Sequence, residues 1–101
     1  MGSEWRYITA LSYGAWYMYV VECADTTLYT GITKCIDRRL REHNGSNRGA
    51  KYTRSRRPVK LVYYKQYQDQ SSALKAESKF KKMTRFQKLQ IVKGFYKNGK
   101  D

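Results

Sequence analysis

Trp16-Tyr17-Met18-Tyr19-Val20-Val21, then Ala24-Asp25-Thr26-Thr27, then Leu28-Tyr29-Thr30-Gly31-Ile32, then Ile36-Asp37-Arg38-Arg39-Leu40-Arg41-Glu42-His43-Asn44: this stretch decides the fold. Its first run alternates Trp16, Met18 and Val20 with Tyr17, Tyr19 and Val21, so both faces are apolar or aromatic. That is the pattern of a strand covered on both sides. Asp25-Thr26-Thr27 predicts a turn, although it lacks the glycine that a tight primed hairpin prefers. The second strand ends at Gly31, a residue suited to close backbone approach or a positive φ. Thr33 is the candidate N-cap of the helix that follows, with Asp37 in its early turns. Ile36 and Leu40 form its buried edge, His43 roughly continues that edge, and Asn44-Gly45 is the stop.

Working outward, residues 48–57 (Arg48 to Arg57) form a basic loop closed by Pro58, the single proline. Val59 to Tyr67 predicts a third strand, with Val59, Leu61 and Tyr63 alternating against Val62 and Tyr64. Asp69-Gln70-Ser71-Ser72 opens a helix through Met83. Thr84-Arg85-Phe86-Gln87 is a capping box that starts a last helix, with Phe86, Leu89 and Val92 as its apolar edge and its end at Gly94. The order β-β-α-β-α-α predicts an α+β domain over residues 14–94, a small antiparallel or mixed sheet with helices packed on it. Residues 1–13 are expected to be a flexible leader and residues 95–101 a frayed basic tail.

Length and composition bound the function. A chain of 101 residues with 41% hydrophobic residues can bury one modest core and is too apolar to be disordered. No apolar run approaches the roughly 20 residues of a membrane span, and the N-terminus does not resemble a signal peptide. Cys23 and Cys35 lack partners at zinc spacing and read as free thiols of a reducing cytoplasm. The charge is lopsided: 20 of the 21 basic residues lie in residues 31–101, and the chain carries +13 overall. Such asymmetry points to a polyanion, nucleic acid ahead of a membrane surface, because no amphipathic insertion helix accompanies it.

Five residues could carry chemistry. Glu77 falls inside the apolar stripe Ala73, Leu74, Ala76, Phe80 and Met83, while Lys75, Lys79 and Lys82 take the outer face. An inward acid is costly unless paired or bound to a metal, so Glu77 is either a salt-bridged acid at the stripe edge or the carboxylate that holds one divalent cation. Tyr19 and Tyr29 lie on adjacent strands, close enough to share a cleft; strands also favour tyrosine for packing alone. Arg39 and His43 are one helical turn apart on one face, where an arginine can clamp a phosphate.

Tyr17-Met18-Tyr19, Tyr29-Thr30-Gly31, Arg39, His43 and Glu77 together resemble the GIY-YIG nuclease superfamily, most of all its small stand-alone bacterial members of the UPF0213 type. Residues 23–33, Arg38-Arg39-Leu40, His43-Asn44, residues 49–54 and Arg57-Pro58 extend the likeness over about residues 16 to 92. Two motifs depart from the family name, with Trp16-Tyr17-Met18-Tyr19 in place of glycine-isoleucine-tyrosine and Tyr29-Thr30-Gly31 in place of tyrosine-isoleucine-glycine. The resemblance implies a three-stranded antiparallel sheet flanked by helices and a metal-dependent phosphodiesterase using one Mg2+ or Mn2+. By the same resemblance Tyr19 and Tyr29 orient and activate the attacking water, Arg39 stabilises phosphoryl charge, His43 assists proton transfer or positioning, and Glu77 holds the metal. Arg38 is an adjacent rival for the Arg39 role.

The expected function is a cytoplasmic endonuclease acting on DNA rather than RNA, on branched, flapped or damaged structures, with a protein partner supplying targeting. Arg38, Lys51, Tyr52, Arg54, Arg56 and Arg57 are the candidate nucleic-acid contacts: the basic groups neutralise phosphates and the tyrosine stacks on a base. Lys79, Lys81, Lys82, Arg85 and Lys88 extend that surface. The rival reading is a non-catalytic basic nucleic-acid-binding module with the same fold; a third is a small structural protein whose charge serves solubility.

Overall fold

Strand β1 (Trp16–Glu22) is the middle of a three-stranded sheet, with β2 (Leu28–Thr33) on one side and β3 (Lys60–Tyr67) on the other, both antiparallel to it. The computed structural model describes residues 15–99, with side chains through Phe95. The strand with apolar or aromatic residues on both faces takes the central place: Tyr17 through Val21 are all buried. Two cores result. On one face Met18 and Val20 pack with Val62 and Phe80; on the other Tyr19 and Val21 pack with Cys23, Val59 and Leu40. A register shift between Val20 and Val21 bends the β1–β3 pairing.

Helices α1 (Ile36–Gly45) and α2 (Lys51–Arg54) lie on the Tyr19 face, and α3 (Gln70–Lys81) and α4 (Arg85–Gly99) cover the Met18 face. Helix α3 packs on β1 and β2, and α4 packs on β3. The α+β class, the three antiparallel strands and the flanking helices are as the sequence predicts. So are two helix starts. Asp69 Oδ1 accepts from the Ser72 amide at 2.8 Å. Thr84 and Gln87 close a capping box, each side chain accepting from the other's backbone N–H.

The structure corrects three expectations. Thr33 is not the N-cap of α1: Cys35 occupies that position with no side-chain cap, and the Thr33 hydroxyl accepts from the Cys35 amide one turn early. Residues 48–57 are not all loop, because Lys51–Arg54 forms the short helix α2. The last helix passes Gly94 and continues to Gly99. A helical glycine costs only about 1 kcal/mol relative to alanine, and Phe95 beyond it packs against both Tyr63 and Tyr64 at 5.3 Å between ring centres. The expected leader at residues 1–13 lies outside the described residues. The β1–β2 turn forms without glycine because Thr26 takes a positive φ of 70°, with Asp25 Oδ1 accepting from both the amide and the hydroxyl of Thr27.

Candidate active site

Tyr19 stands opposite Gly31 in the β1–β2 register, and its ring lies across that glycine. A Cβ at Gly31 would sit 2.8 Å from the Tyr19 hydroxyl and 3.1 Å from Cζ, so only glycine leaves the ring room. The phenol reaches over β2 to His43 on α1, with Oη 2.7 Å from Nε2. His43 is fully buried. Its other nitrogen faces α2: Nδ1 lies 3.1 Å from Thr53 Oγ1 and accepts from the Ala50 amide at 3.3 Å.

Tyr29, two residues before Gly31 and on the same sheet face, sets its ring edge-on to His43 at 5.5 Å between centres. It also stacks on Tyr52 of α2 at 5.9 Å, and the Arg56 guanidinium covers Tyr52 at 3.9 Å. Asp25 of the β1–β2 turn fixes that guanidinium, accepting from Nε at 3.0 Å. A continuous ladder therefore runs from the buried histidine through both tyrosines to the surface.

Arg39 enters from α1. Its Nη1 donates to Glu42 at 3.0 Å and to the Arg48 carbonyl at 2.7 Å, which fixes the guanidinium beside Tyr19. The electrostatics are consistent. Burial pushes the Tyr19 phenol up to about 12, and the Arg39 charge opposes this while the Tyr29 and Glu77 charges add to it. Burial and then the Arg39 charge push the His43 imidazole down to about 4. Burial works against the charge on Arg39, but its hydrogen bonds to Glu42 and the nearby Tyr19 outweigh that and raise its pKa. The Arg39 hydrogen bond in turn lowers the Glu42 carboxyl. The Arg38 side chain is 61% exposed and reaches Glu42 only at 4.0 Å, so Arg39, at 27%, is the arginine at the cluster.

Glu77 arrives from α3, on the other side of the sheet, yet its charge acts on the Tyr19 hydroxyl. Its side chain is 17% exposed and ion-paired to Lys81 at 3.3 Å. The structure thus brings Tyr19, Tyr29, Arg39 and His43 together, and Glu77 reaches Tyr19 only through its charge, the weakest of the influences on the phenol. Among the described residues no three His, Cys, Asp or Glu side chains form a cage for a metal.

The six basic-surface candidates divide. Arg57 is directed inward: Nε donates to the His43 carbonyl and Nη2 to the Ser46 carbonyl, both at 2.6 Å, satisfying the C-terminal end of α1. Arg56 is engaged by Asp25, by the Tyr52 carbonyl and by the Tyr52 ring. Tyr52 is 37% exposed, with its ring already in contact with Tyr29 and Arg56. Arg38, Lys51 and Arg54 are exposed.

Thr53, Ala50, Gly49 and Asn44 fall within the sequence likeness but carry no assigned role there. A Cβ at Gly49 would lie 2.6 Å from the Glu42 carbonyl, so this glycine lets α2 close on α1. Asn44 pairs with the Val59 backbone in both directions, at 2.7 and 3.0 Å, and ties α1 to the start of β3. The available signal was the run Gly49-Ala50-Lys51-Tyr52-Thr53, small and apolar enough to pack, inside a segment whose arginines suggest only surface.

The family model described as the GIY-YIG catalytic domain matches residues 15–90. A UPF0213 protein of Syntrophus aciditrophicus is 54% identical over 77 residues, covering 76% of this chain and 88% of the relative. The UPF0213 protein DP2720 of Desulfotalea psychrophila is 54% identical over 79 residues, covering 78% of this chain and 72% of the relative. Two solution NMR structures share the fold. The E. faecalis protein EF2693 has a TM-score of 0.56 and 45% identity, covering 81% of this chain and 86% of that one. The UPF0213 protein BH0048 from Bacillus halodurans has a TM-score of 0.52 and 39% identity, covering 78% and 83%.

Proposed function

The chain belongs to the GIY-YIG family, a nuclease family, and on that premise we propose that it is a metal-dependent endonuclease hydrolysing phosphodiester bonds in DNA. One observation carries the reading: the Tyr19 hydroxyl meets His43 at 2.7 Å beside the fixed Arg39 guanidinium. A tyrosine placed there merely for packing would not need its hydroxyl set between a buried histidine and a fixed guanidinium.

The donor set fits one hard cation. Glu77 offers a single half-buried carboxylate, and a magnesium-type ion commonly keeps its waters and takes one or two carboxylates plus substrate phosphate rather than a protein cage. When bound, such an ion would supply positive charge to the scissile phosphate. Glu77 would hold it. Tyr19 and Tyr29 would orient and activate a water for attack on phosphorus, forming the new P–O bond as the bond to the leaving sugar oxygen breaks. Arg39, held rigid by Glu42 and the Arg48 carbonyl, would hydrogen-bond the phosphoryl oxygens as their charge grows. His43 would position Tyr19 through Nε2. Arg38, Lys51 and Arg54 would contact the backbone of the substrate, with branched, flapped or damaged DNA as the substrate class.

The test is a panel of labelled linear, flapped and branched DNAs with matching RNAs, incubated with Mg2+ or Mn2+ beside Glu77→Ala and Tyr19→Phe. Discrete products that vanish with chelator and with either variant are expected. Salt-sensitive binding with no metal-dependent product would overturn the proposal in favour of a non-catalytic binding module.

A further inference from the structure

We propose that α2 fixes the tautomer of His43: the Ala50 amide and the Thr53 hydroxyl converge on Nδ1, leaving the ring proton on Nε2, so that His43 donates a hydrogen bond to Tyr19 Oη instead of receiving the tyrosine's proton. The catalytic meaning of this rests on the nuclease reading above; the tautomer itself does not.

Hydroxyl and imidazole protons are not fixed by heavy-atom positions, but a backbone amide is an obligatory donor. The Ala50 N–H points at His43 Nδ1 with 3.3 Å between nitrogen atoms. Were Nδ1 protonated, two donors would face one another in a site where His43 and Thr53 are both fully buried. Thr53 strengthens the case. Its hydroxyl can turn to Nδ1 at 3.1 Å or to the Ala50 carbonyl at 2.8 Å. That carbonyl already accepts from the amides of Thr53 and Arg54, at 3.0 and 3.2 Å, so the hydroxyl can leave it for Nδ1, whose single lone pair it would share with the Ala50 amide. Among the described residues no buried side-chain polar atom is without a partner.

The consequence falls on Tyr19. Its oxygen accepts from Nε2–H, and the Arg39 guanidinium, which can only donate, stands beside the same oxygen. The phenol keeps its own hydrogen and directs it away from His43. Two donors at Oη would also stabilise the phenolate once that proton leaves. His43 is then a positioning residue for Tyr19, and Ala50 and Thr53 are positioning residues for His43.

His43 is the sole histidine in the chain, so its ring nitrogens can be assigned without ambiguity. The experiment is a long-range 1H–15N correlation spectrum of the 15N-labelled full-length protein at neutral pH, without metal or DNA. The expected result is Nδ1 far downfield as a bare nitrogen and Nε2 upfield as a protonated one. The reversed pattern, with the proton on Nδ1, would overturn the proposal. Thr53→Val and Thr53→Ser refine it: the valine should shift the Nδ1 resonance and lower kcat with KM for DNA held, and the serine should restore both. An unchanged Nδ1 resonance in Thr53→Val would remove Thr53 from the proposal. Because the spectrum needs no catalysis, a bare Nδ1 in a protein that cleaves nothing would refute the nuclease reading while leaving this one standing.

Discussion

Gly31→Ala tests whether the glycine is there for Tyr19 or for the strand. The new Cβ would lie 2.8 Å from Tyr19 Oη, roughly 0.6 Å inside the 3.4 Å at which ordinary contact begins. Gly31 sits in a regular antiparallel register, so alanine carries no backbone penalty there and the cost must fall on the phenol. A free tyrosine would swing aside cheaply, but this ring is buried and its hydroxyl is bonded to a buried histidine. Either the overlap persists, at about 1–3 kcal/mol, or the ring moves and strands the buried imidazole, at about 1–3 kcal/mol. We expect a loss near 2 kcal/mol, and so a Tm lower by roughly 10–15 °C for a domain of this size. Cleavage should fall with it while DNA affinity at fixed salt is retained. The decisive measurement is a double-mutant cycle by urea unfolding. In a Tyr19→Phe background the nearest atom is Cζ at 3.1 Å, so Gly31→Ala should cost less, with a coupling of about 1 kcal/mol. Additive losses, or a variant with unchanged Tm and cleavage, would refute the reasoning.

Glu77→Gln should abolish metal-dependent cleavage while the unfolding midpoint moves by less than about 1 kcal/mol, because the pair it breaks with the 57% exposed Lys81 is a surface ion pair; cleavage assays beside urea melts check both halves. Arg57→Ala should cost about 2–3 kcal/mol of stability through the lost α1 carbonyl contacts and leave the salt dependence of DNA binding nearly unchanged. Lys51→Ala should do the reverse, reducing the slope of log K against log salt by about 1 with little effect on Tm; fluorescence anisotropy titrations across salt concentrations separate the two. Acid should destabilise the fold through His43: its folded pKa, about 4, lies below the ordinary 6.5, so the unfolded chain binds the extra proton. Stability is then complete above 6.5 and falls by about 1.4 kcal/mol per pH unit toward 4. A flat urea midpoint between pH 7 and pH 5 would refute this, since the lowered carboxyls of Asp25, Glu42 and Asp69 titrate below that window.

The central strand was legible because its burial is written as composition: six apolar or aromatic residues in a row leave no solvent face, and only the middle of the sheet can cover both sides. The capping box at Thr84–Gln87 was equally legible, since spacing alone defines it. What stayed hidden depends on contacts between segments distant in sequence. Thr33 looked like a cap because it precedes the helix, but its hydroxyl satisfies the Cys35 amide first. Gly94 looked like a stop, but glycine weakens a helix by less than Phe95 gains against Tyr63 and Tyr64. Thr53 showed only as part of the run Gly49-Ala50-Lys51-Tyr52-Thr53, because a hydroxyl becomes part of a histidine site only when the chain folds it there.

Charge shows the same limit more sharply. A net +13 counts every arginine alike, but the fold gives them different work. Arg39 is locked between Glu42 and a carbonyl beside the Tyr19 phenol; Arg57 is turned into the end of α1; Arg56 braces the Tyr52–Tyr29 stack from the Asp25 turn. Each of these three holds the site in shape, and the planar fork of arginine suits that work because one side chain can meet several oxygens at once. The exposed Lys51, whose ammonium is a compact charge on a flexible stem, suits the looser task of neutralising phosphate. The basic segment 48–57 is thus a brace and a contact surface together. Removing an inward arginine should disturb the tyrosine–histidine geometry before it disturbs the pull on a polyanion, and that order is what separates a built active site from a merely cationic one.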